Sequence, residues 1–212
     1  MSDGSGKIYA IGDIHGCLDK LISLAGRIAP GTGDRVVFLG DYIDRGADSA
    51  GVIEFLLKFQ AETPAETIFL KGNHEAMLMD YLAGMNQESY LYYGGSATVD
   101  SYVARYGEFR LPDNHRNFLE NLKSFYETER YVFVHAGLKP GVPIPEQTDS
   151  YRLWIRWEFV RSAYDWGKRV VFGHTPFTVP RIEANKIGID TGAVYGRELT
   201  CLLLPDVDFV FA

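Results

Sequence analysis

Short apolar runs that stop abruptly at glycine-containing polar clusters dominate this sequence. Ile8-Tyr9-Ala10-Ile11 meets Gly12, Val36-Val37-Phe38-Leu39 meets Gly40, and Ile68-Phe69-Leu70 passes through Lys71 to Gly72. Farther on, Tyr131-Val132-Phe133-Val134 runs into His135, and Val170-Val171-Phe172 into Gly173. Short runs rich in β-branched and aromatic residues read as buried strands feeding loops. Residues 187–189, 199–204 and 209–211 add further strand candidates. Between the early runs, Leu18, Leu21, Ile22, Ala25 and Ile28 recur at helical spacing, as do Val52, Phe55, Leu56 and Phe59. This alternation predicts an α/β fold with parallel pairing and helices on the sheet faces, and the strand-dense tail predicts a mixed or second sheet.

The middle of the chain differs. Helix-like stretches around 77–82, 96–106 and 116–125, broken by Gly94-Gly95 and by Leu111-Pro112-Asp113, predict a helical insertion at about 75–130. Residues 138–150 carry Pro140, Pro143 and Pro145, which favour extended or turn conformations. No internal repeat or linker interrupts the chain, and 212 residues suit a single domain over 1–212 that contains this insertion.

Composition narrows the partners. With 21 basic and 28 acidic residues the net charge is -7, so no global basic field draws the chain to nucleic acid or to an anionic membrane. No apolar run approaches the roughly 20 residues that span a bilayer. Cys17 and Cys201 lack a paired spacing and are too few for a disulfide framework, which with a polar start from Met1 to Lys7, read as a disordered leader, predicts a cytoplasmic protein. Both thiols read as small buried groups, Cys17 included.

In open α/β sheets, ligands gather at the carboxyl ends of strands. There the sequence places Gly12-Asp13-Ile14-His15-Gly16, Gly40-Asp41-Tyr42-Ile43-Asp44-Arg45-Gly46, Gly72-Asn73-His74-Glu75, His135-Ala136-Gly137 and Gly173-His174-Thr175. A lone Gly-Asp pair is usually a turn, and a lone strand-end histidine is usually structural. Here four of the five histidines end separate apolar runs beside aspartate and asparagine, so the functional reading prevails. Such mixed oxygen and nitrogen donors suit manganese, iron or zinc. His115 stands outside any cluster and reads as an exposed or capping residue.

The ordered set GDIHG, GDYIDRG, GNHE, HAG and GHT, spanning residues 12–175, resembles the signature of the phosphoprotein phosphatase family of metallophosphoesterases. The stretch Leu153 to Glu158 and the segment Ile189-Asp190-Thr191-Gly192-Ala193-Val194 resemble its small bacterial and phage-type members. The resemblance implies a calcineurin-like metallophosphoesterase αββα sandwich of two mixed sheets with a dinuclear metal centre. By the family pattern Asp13 and His15 bind the first ion, Asp41 bridges both, and Asn73, His135 and His174 complete the second. Two divalent ions are implied, manganese foremost, with iron or zinc as alternatives. A hydroxide shared by them would attack phosphorus in line, without a phosphoenzyme. His74 would protonate the leaving oxygen, with Asp44 holding its imidazole. Arg45 and Arg156 are the phosphate clamps, since a guanidinium donates two parallel hydrogen bonds to phosphate oxygens. Glu75 reads as structural, and Tyr90, Tyr92 and Tyr93 as packing.

The implied activity is a metal-dependent phosphomonoester hydrolase, foremost a serine/threonine protein phosphatase acting on a phosphoprotein or small phosphoester. The alternative is a symmetrical diadenosine tetraphosphate hydrolase, whose relatives usually carry longer segments for a dinucleotide. A non-catalytic phosphate-binding scaffold would show decay at the ligand positions, and none is missing.

Overall fold

The computed structural model describes residues 6–212. The leader expectation for residues 1–5 lies outside them, whereas the Lys7 amide is held by the Asp34 carboxylate at 2.8 Å.

Ten strands form two sheets. The first has the order β10-β9-β1-β2-β3, with β1 (Ile8–Ile11), β2 (Arg35–Phe38) and β3 (Glu66–Phe69) parallel, and β9 (Thr200–Leu204) and β10 (Asp208–Phe211) added antiparallel. The second has the order β4-β5-β6-β8-β7. In it β5 (Tyr131–Val134), β6 (Arg169–Phe172) and β8 (Lys186–Gly188) are parallel, while β4 (Phe125–Glu127) and β7 (Arg181–Ile182) form antiparallel edges.

The central strands β1, β2, β5 and β6 are mostly apolar, as suits strands with both faces buried. Tyr9 and Ile11 of β1 and Val36 and Phe38 of β2 face a helical layer built from α1 (Leu18–Ala25), α2 (Ser49–Glu62) and the helices that follow. Ile8, Ala10 and Val37 point the other way, onto Tyr131, Phe133, Val171 and Ile187 of the second sheet. Val132, Val134, Val170 and Phe172 face outward against Ile155, Phe159 and Val160. Four layers result, helix on sheet on sheet on helix, as the family resemblance implies.

The segment expected as an insertion is helical through α3 (Asn73–Leu82), α4 (Gln87–Tyr90), α5 (Ser96–Tyr106) and α6 (Asp113–Glu120), with a kink at Leu91–Gly95 where Gly94 takes a φ of 112°. Its last helix needs correction. The helix lies at 113–120 rather than 116–125, because Lys123 bridges to Leu70 and Phe125 enters β4. His115 is also corrected: it is buried in α6, its Nδ1 2.8 Å from the Tyr102 hydroxyl. Tyr92 and Tyr93 are 85% and 56% exposed and pack no core. Short helices α7 (Asp149–Trp154) and α8 (Trp157–Val160) follow the proline-rich stretch. Among the described residues no helix is long and apolar enough to cross a membrane.

Candidate metal centre

The strand-end loops bring the sequence-predicted residues together. Asp13 and His15 follow β1, Asp41 to Arg45 follow β2, Asn73 and His74 open α3 after β3, His135 follows β5 and His174 follows β6. Five of them, His15, Asp41, Asp44, Arg45 and His174, hold positive φ angles between 46° and 72°. Non-glycine residues there cost about 1–3 kcal/mol each, strain that persists only where surroundings enforce it. The surroundings are tight. A Cβ on Gly72 would strike the Asp41 carboxylate, and one on Gly173 would strike that of Asp13. Glu75, as predicted, serves structure. Its carboxylate accepts the amides of Asp41 (2.9 Å), Tyr42 (2.8 Å) and Gly72 (2.8 Å), tying the second loop to the third.

Two donor clusters share one carboxylate. His15, Asp41 and His74 form one and Asp41, His135 and His174 the other, with candidate ligand atoms in each within 4.8 Å of one another and every residue buried. Asn73 joins the second through Oδ1, 3.0 Å from His135 Nε2. Asp13 belongs to neither group but lies beside them, its carboxylate accepting the His174 amide at 2.9 and 3.1 Å.

The histidine tautomers test the fit to cations. His15 Nδ1 lies 2.8 Å from the Ile43 carbonyl and His135 Nδ1 2.9 Å from the Leu39 carbonyl, and a carbonyl only accepts, so both Nδ1 atoms carry the hydrogen. Each Nε2 then offers a lone pair to the cluster, the arrangement usual for metal-ligating histidine. Burial lowers the His135 pKa and holds His15 at about 3 and His174 at about 2, keeping all three neutral. At His135 a lone pair therefore faces the Asn73 carbonyl oxygen, two acceptors that a shared cation would reconcile. Among the described residues His174 Nε2 is buried without a hydrogen-bond partner. The donor set thus fits divalent cations of borderline hardness. Against burial, any proton carried by His135, His74, His15 or His174 favours the Asp41 anion, and this holds its pKa well below the usual range.

His74 is placed differently. Its Nδ1 lies 2.6 Å from Asp44 Oδ2, and Asp44 is fully buried. Three residues set this pair: Ser49 and Thr98, to which sequence reasoning gave no role, and Tyr90, which it read as packing. The Tyr90 and Thr98 hydroxyls donate to Asp44 Oδ1 at 2.7 and 2.6 Å, and the Asp44 amide donates to Ser49 Oγ and Thr98 Oγ1. Burial opposes charge on His74, but Asp41 and the Asp44 hydrogen bond outweigh it and raise its pKa.

Above the clusters lies a recess of about 50 Å³ lined by Asp13, His15, Arg45, Arg156, His174 and Asp190, among others. Arg45 Nη1 donates to His15 Nε2 at 2.7 Å, so a cation at that lone pair requires the guanidinium to move off it. Arg156 is exposed and lines the recess. Asp190 is the strand-end carboxylate the sequence reading passed over, and burial pushes it to about 6 against the pull of the Gly192 amide.

A calcineurin-like phosphoesterase family profile matches residues 6–212. The chain belongs to that family. It is a metallophosphoesterase hydrolase. The asymmetrical bis(5'-nucleosyl)-tetraphosphatase PrpE of Oceanobacillus iheyensis is 30% identical over 96% of this chain and 91% of its own. Among solved structures, a proposed diadenosine tetraphosphatase superposes with a TM-score of 0.76 at 23% identity, covering 100% of this chain and 95% of that one. A Saccharomyces cerevisiae protein serine/threonine phosphatase superposes at 0.70 and 16% identity, covering 98% of this chain and 79% of that one. At those identities the two structures establish the fold alone.

Proposed function

We propose that this metallophosphoesterase hydrolyses dinucleoside tetraphosphates asymmetrically, cleaving an outer phosphoanhydride. The observation that carries the substrate class is the full-length similarity to a tetraphosphatase of that specificity. It also removes the length argument for a phosphoprotein substrate, because the chain covers 91% of a relative named for a dinucleotide. Cleavage at the centre of a tetraphosphate gives two nucleoside diphosphates, whereas cleavage at either outer anhydride gives a monophosphate and a triphosphate.

In this reading Asp13, His15, Asp41, Asn73, His135 and His174 hold two divalent cations. Bound there, the cations acidify water and offset charge on the phosphoryl oxygens. Arg45 and Arg156 clamp the phosphate at the recess. His74 gives its proton to the leaving oxygen as the anhydride P–O bond breaks and the water oxygen bonds to phosphorus, and Asp44 keeps that imidazole oriented.

The test compares diadenosine tetraphosphate with a phosphoserine peptide on manganese-reconstituted protein, resolving products by chromatography. Equal amounts of adenosine mono- and triphosphate are expected. Two diphosphates would reverse the regiochemistry, and a peptide preference of orders of magnitude would restore the protein phosphatase.

A further inference from the structure

The recess at the donor clusters, about 50 Å³, is too small for a nucleoside, since small-molecule sites run to about 300–1,000 Å³. A groove of about 510 Å³ adjoins it and shares Pro176 as a wall. Phe177, Val179 and Pro180 give the groove its apolar side, and Val179 is 68% exposed. Arg181 and Arg197 supply its charge. Arg181 Nε is matched by the Glu183 carboxylate at 2.5 Å. Among the described residues Arg197 has no carboxylate partner, and its Nη1 donates to the Phe177 carbonyl at 3.4 Å.

Recess and groove are built from the same two segments. The chain leaving His174 runs through Pro176 into Phe177 and Val179, and the Phe177 amide donates to the Asp190 carbonyl at 2.9 Å. A tight turn at Gly192 carries Tyr195 into the recess wall and Arg197 into the groove, with both amides donating to the Gly192 carbonyl. The groove is thus fixed to the recess from both sides. An uncompensated guanidinium next to an apolar wall, one step from a phosphate-sized recess, matches a nucleoside 5'-phosphate: anion towards the arginine, base towards the hydrocarbon.

We propose that this groove is the subsite for the nucleoside nearest the cleaved anhydride, with its base against Phe177 and Val179 and its phosphate between Arg197 and the recess. The inference rests on the dinucleotide reading and adds a physical reason for asymmetry. A nucleoside seated directly beside the recess leaves one phosphate between its ribose and the scissile bond, which selects an outer anhydride.

Val179→Asp and Arg197→Glu test it, with Arg197→Lys as the conservative partner, all at exposed positions. Kinetics would be measured on diadenosine tetraphosphate and on p-nitrophenyl phosphate, which is too small to span both sites, and calorimetry would give the Kd for adenosine monophosphate. We expect at least a tenfold rise in the dinucleotide KM and in the monophosphate Kd for the two disruptive variants. Their p-nitrophenyl phosphate kcat/KM should stay within about twofold, and Arg197→Lys should recover most of the affinity. A dinucleotide KM or monophosphate Kd within twofold of wild type, or equal losses on both substrates, overturns the subsite. Wild-type protein that turns over p-nitrophenyl phosphate but not the dinucleotide overturns the substrate reading instead.

Discussion

The His74 imidazole and the Asp44 carboxylate meet at 2.6 Å in full burial, thirty residues apart in sequence. Asp44 occupies one ring nitrogen, so only Nε2 faces the cluster, where the His15 ring lies edge-on with centroids 4.7 Å apart. A group held this way delivers a proton along one direction. If it does so to the leaving oxygen, its loss should matter most when that oxygen is strongly basic. His74→Asn is expected to lower kcat on an alkyl phosphate by about 10²–10⁴-fold. On p-nitrophenyl phosphate, whose leaving group needs little protonation, the loss should be much smaller. Rates over a series of leaving groups check this, and equal losses across the series refute the assignment.

The same pair predicts two opposite pH shifts. His74 acts while protonated, so the rate falls as pH rises through its pKa. Removing the negative charge in Asp44→Asn lowers that pKa, and the alkaline limb of kcat should move to lower pH by roughly one unit or more. Tyr90→Phe removes a hydrogen bond that stabilises the Asp44 charge. With one donor fewer, the carboxylate interacts more strongly with the His74 imidazolium, so the limb should move slightly to higher pH. Profiles of kcat for both variants against wild type decide it, and shifts of the same sign exclude the mechanism.

Tyr90 and Thr98 also mark where the sequence stops being legible. The strands could be read because both faces are buried, which leaves unbroken apolar runs. The donors could be read because each run ends at a polar cluster that contains glycine. Tyr90 and Thr98 lie 46 and 54 residues from Asp44, and reach it only because the insertion folds back through the turn at Leu91–Gly95, where the Gly94 carbonyl takes the Arg45 amide. No local spacing encodes that return. His115 misleads for the same reason, since its partner Tyr102 sits on another helix. The edge strands β4 and β7, of three and two residues, are too short to show an alternation.

Glu75 carries a prediction about stability rather than rate. Its carboxylate accepts amide hydrogens from residues 41, 42, 43 and 72. Glu75→Gln replaces one acceptor oxygen with a donor NH2 in a buried site, leaving groups unpaired at about 1–3 kcal/mol. For a chain of this size that lowers Tm by roughly 2–10 °C. Calorimetric unfolding of metal-free variant and wild type measures it, and an unchanged Tm would show that the loops are held by other means.

Asp41 is the residue both clusters share, with Oδ2 3.4 Å from His15 Nε2 and Oδ1 3.4 Å from His135 Nε2. A carboxylate in that position can place one oxygen towards each of two cations, and its negative charge offsets the repulsion between them. Asp41→Asn keeps the shape, removes the charge and turns one of the two oxygens into a donor. The variant should lose nearly all activity and bind fewer than two ions per chain after manganese reconstitution, as counted by elemental analysis of dialysed protein. Its fold should survive, because the Asp41 amide still reaches Glu75. Circular dichroism separates that outcome from unfolding. Two retained ions with full activity would remove Asp41 from the bridging role and leave His15 and His135 to serve independent sites.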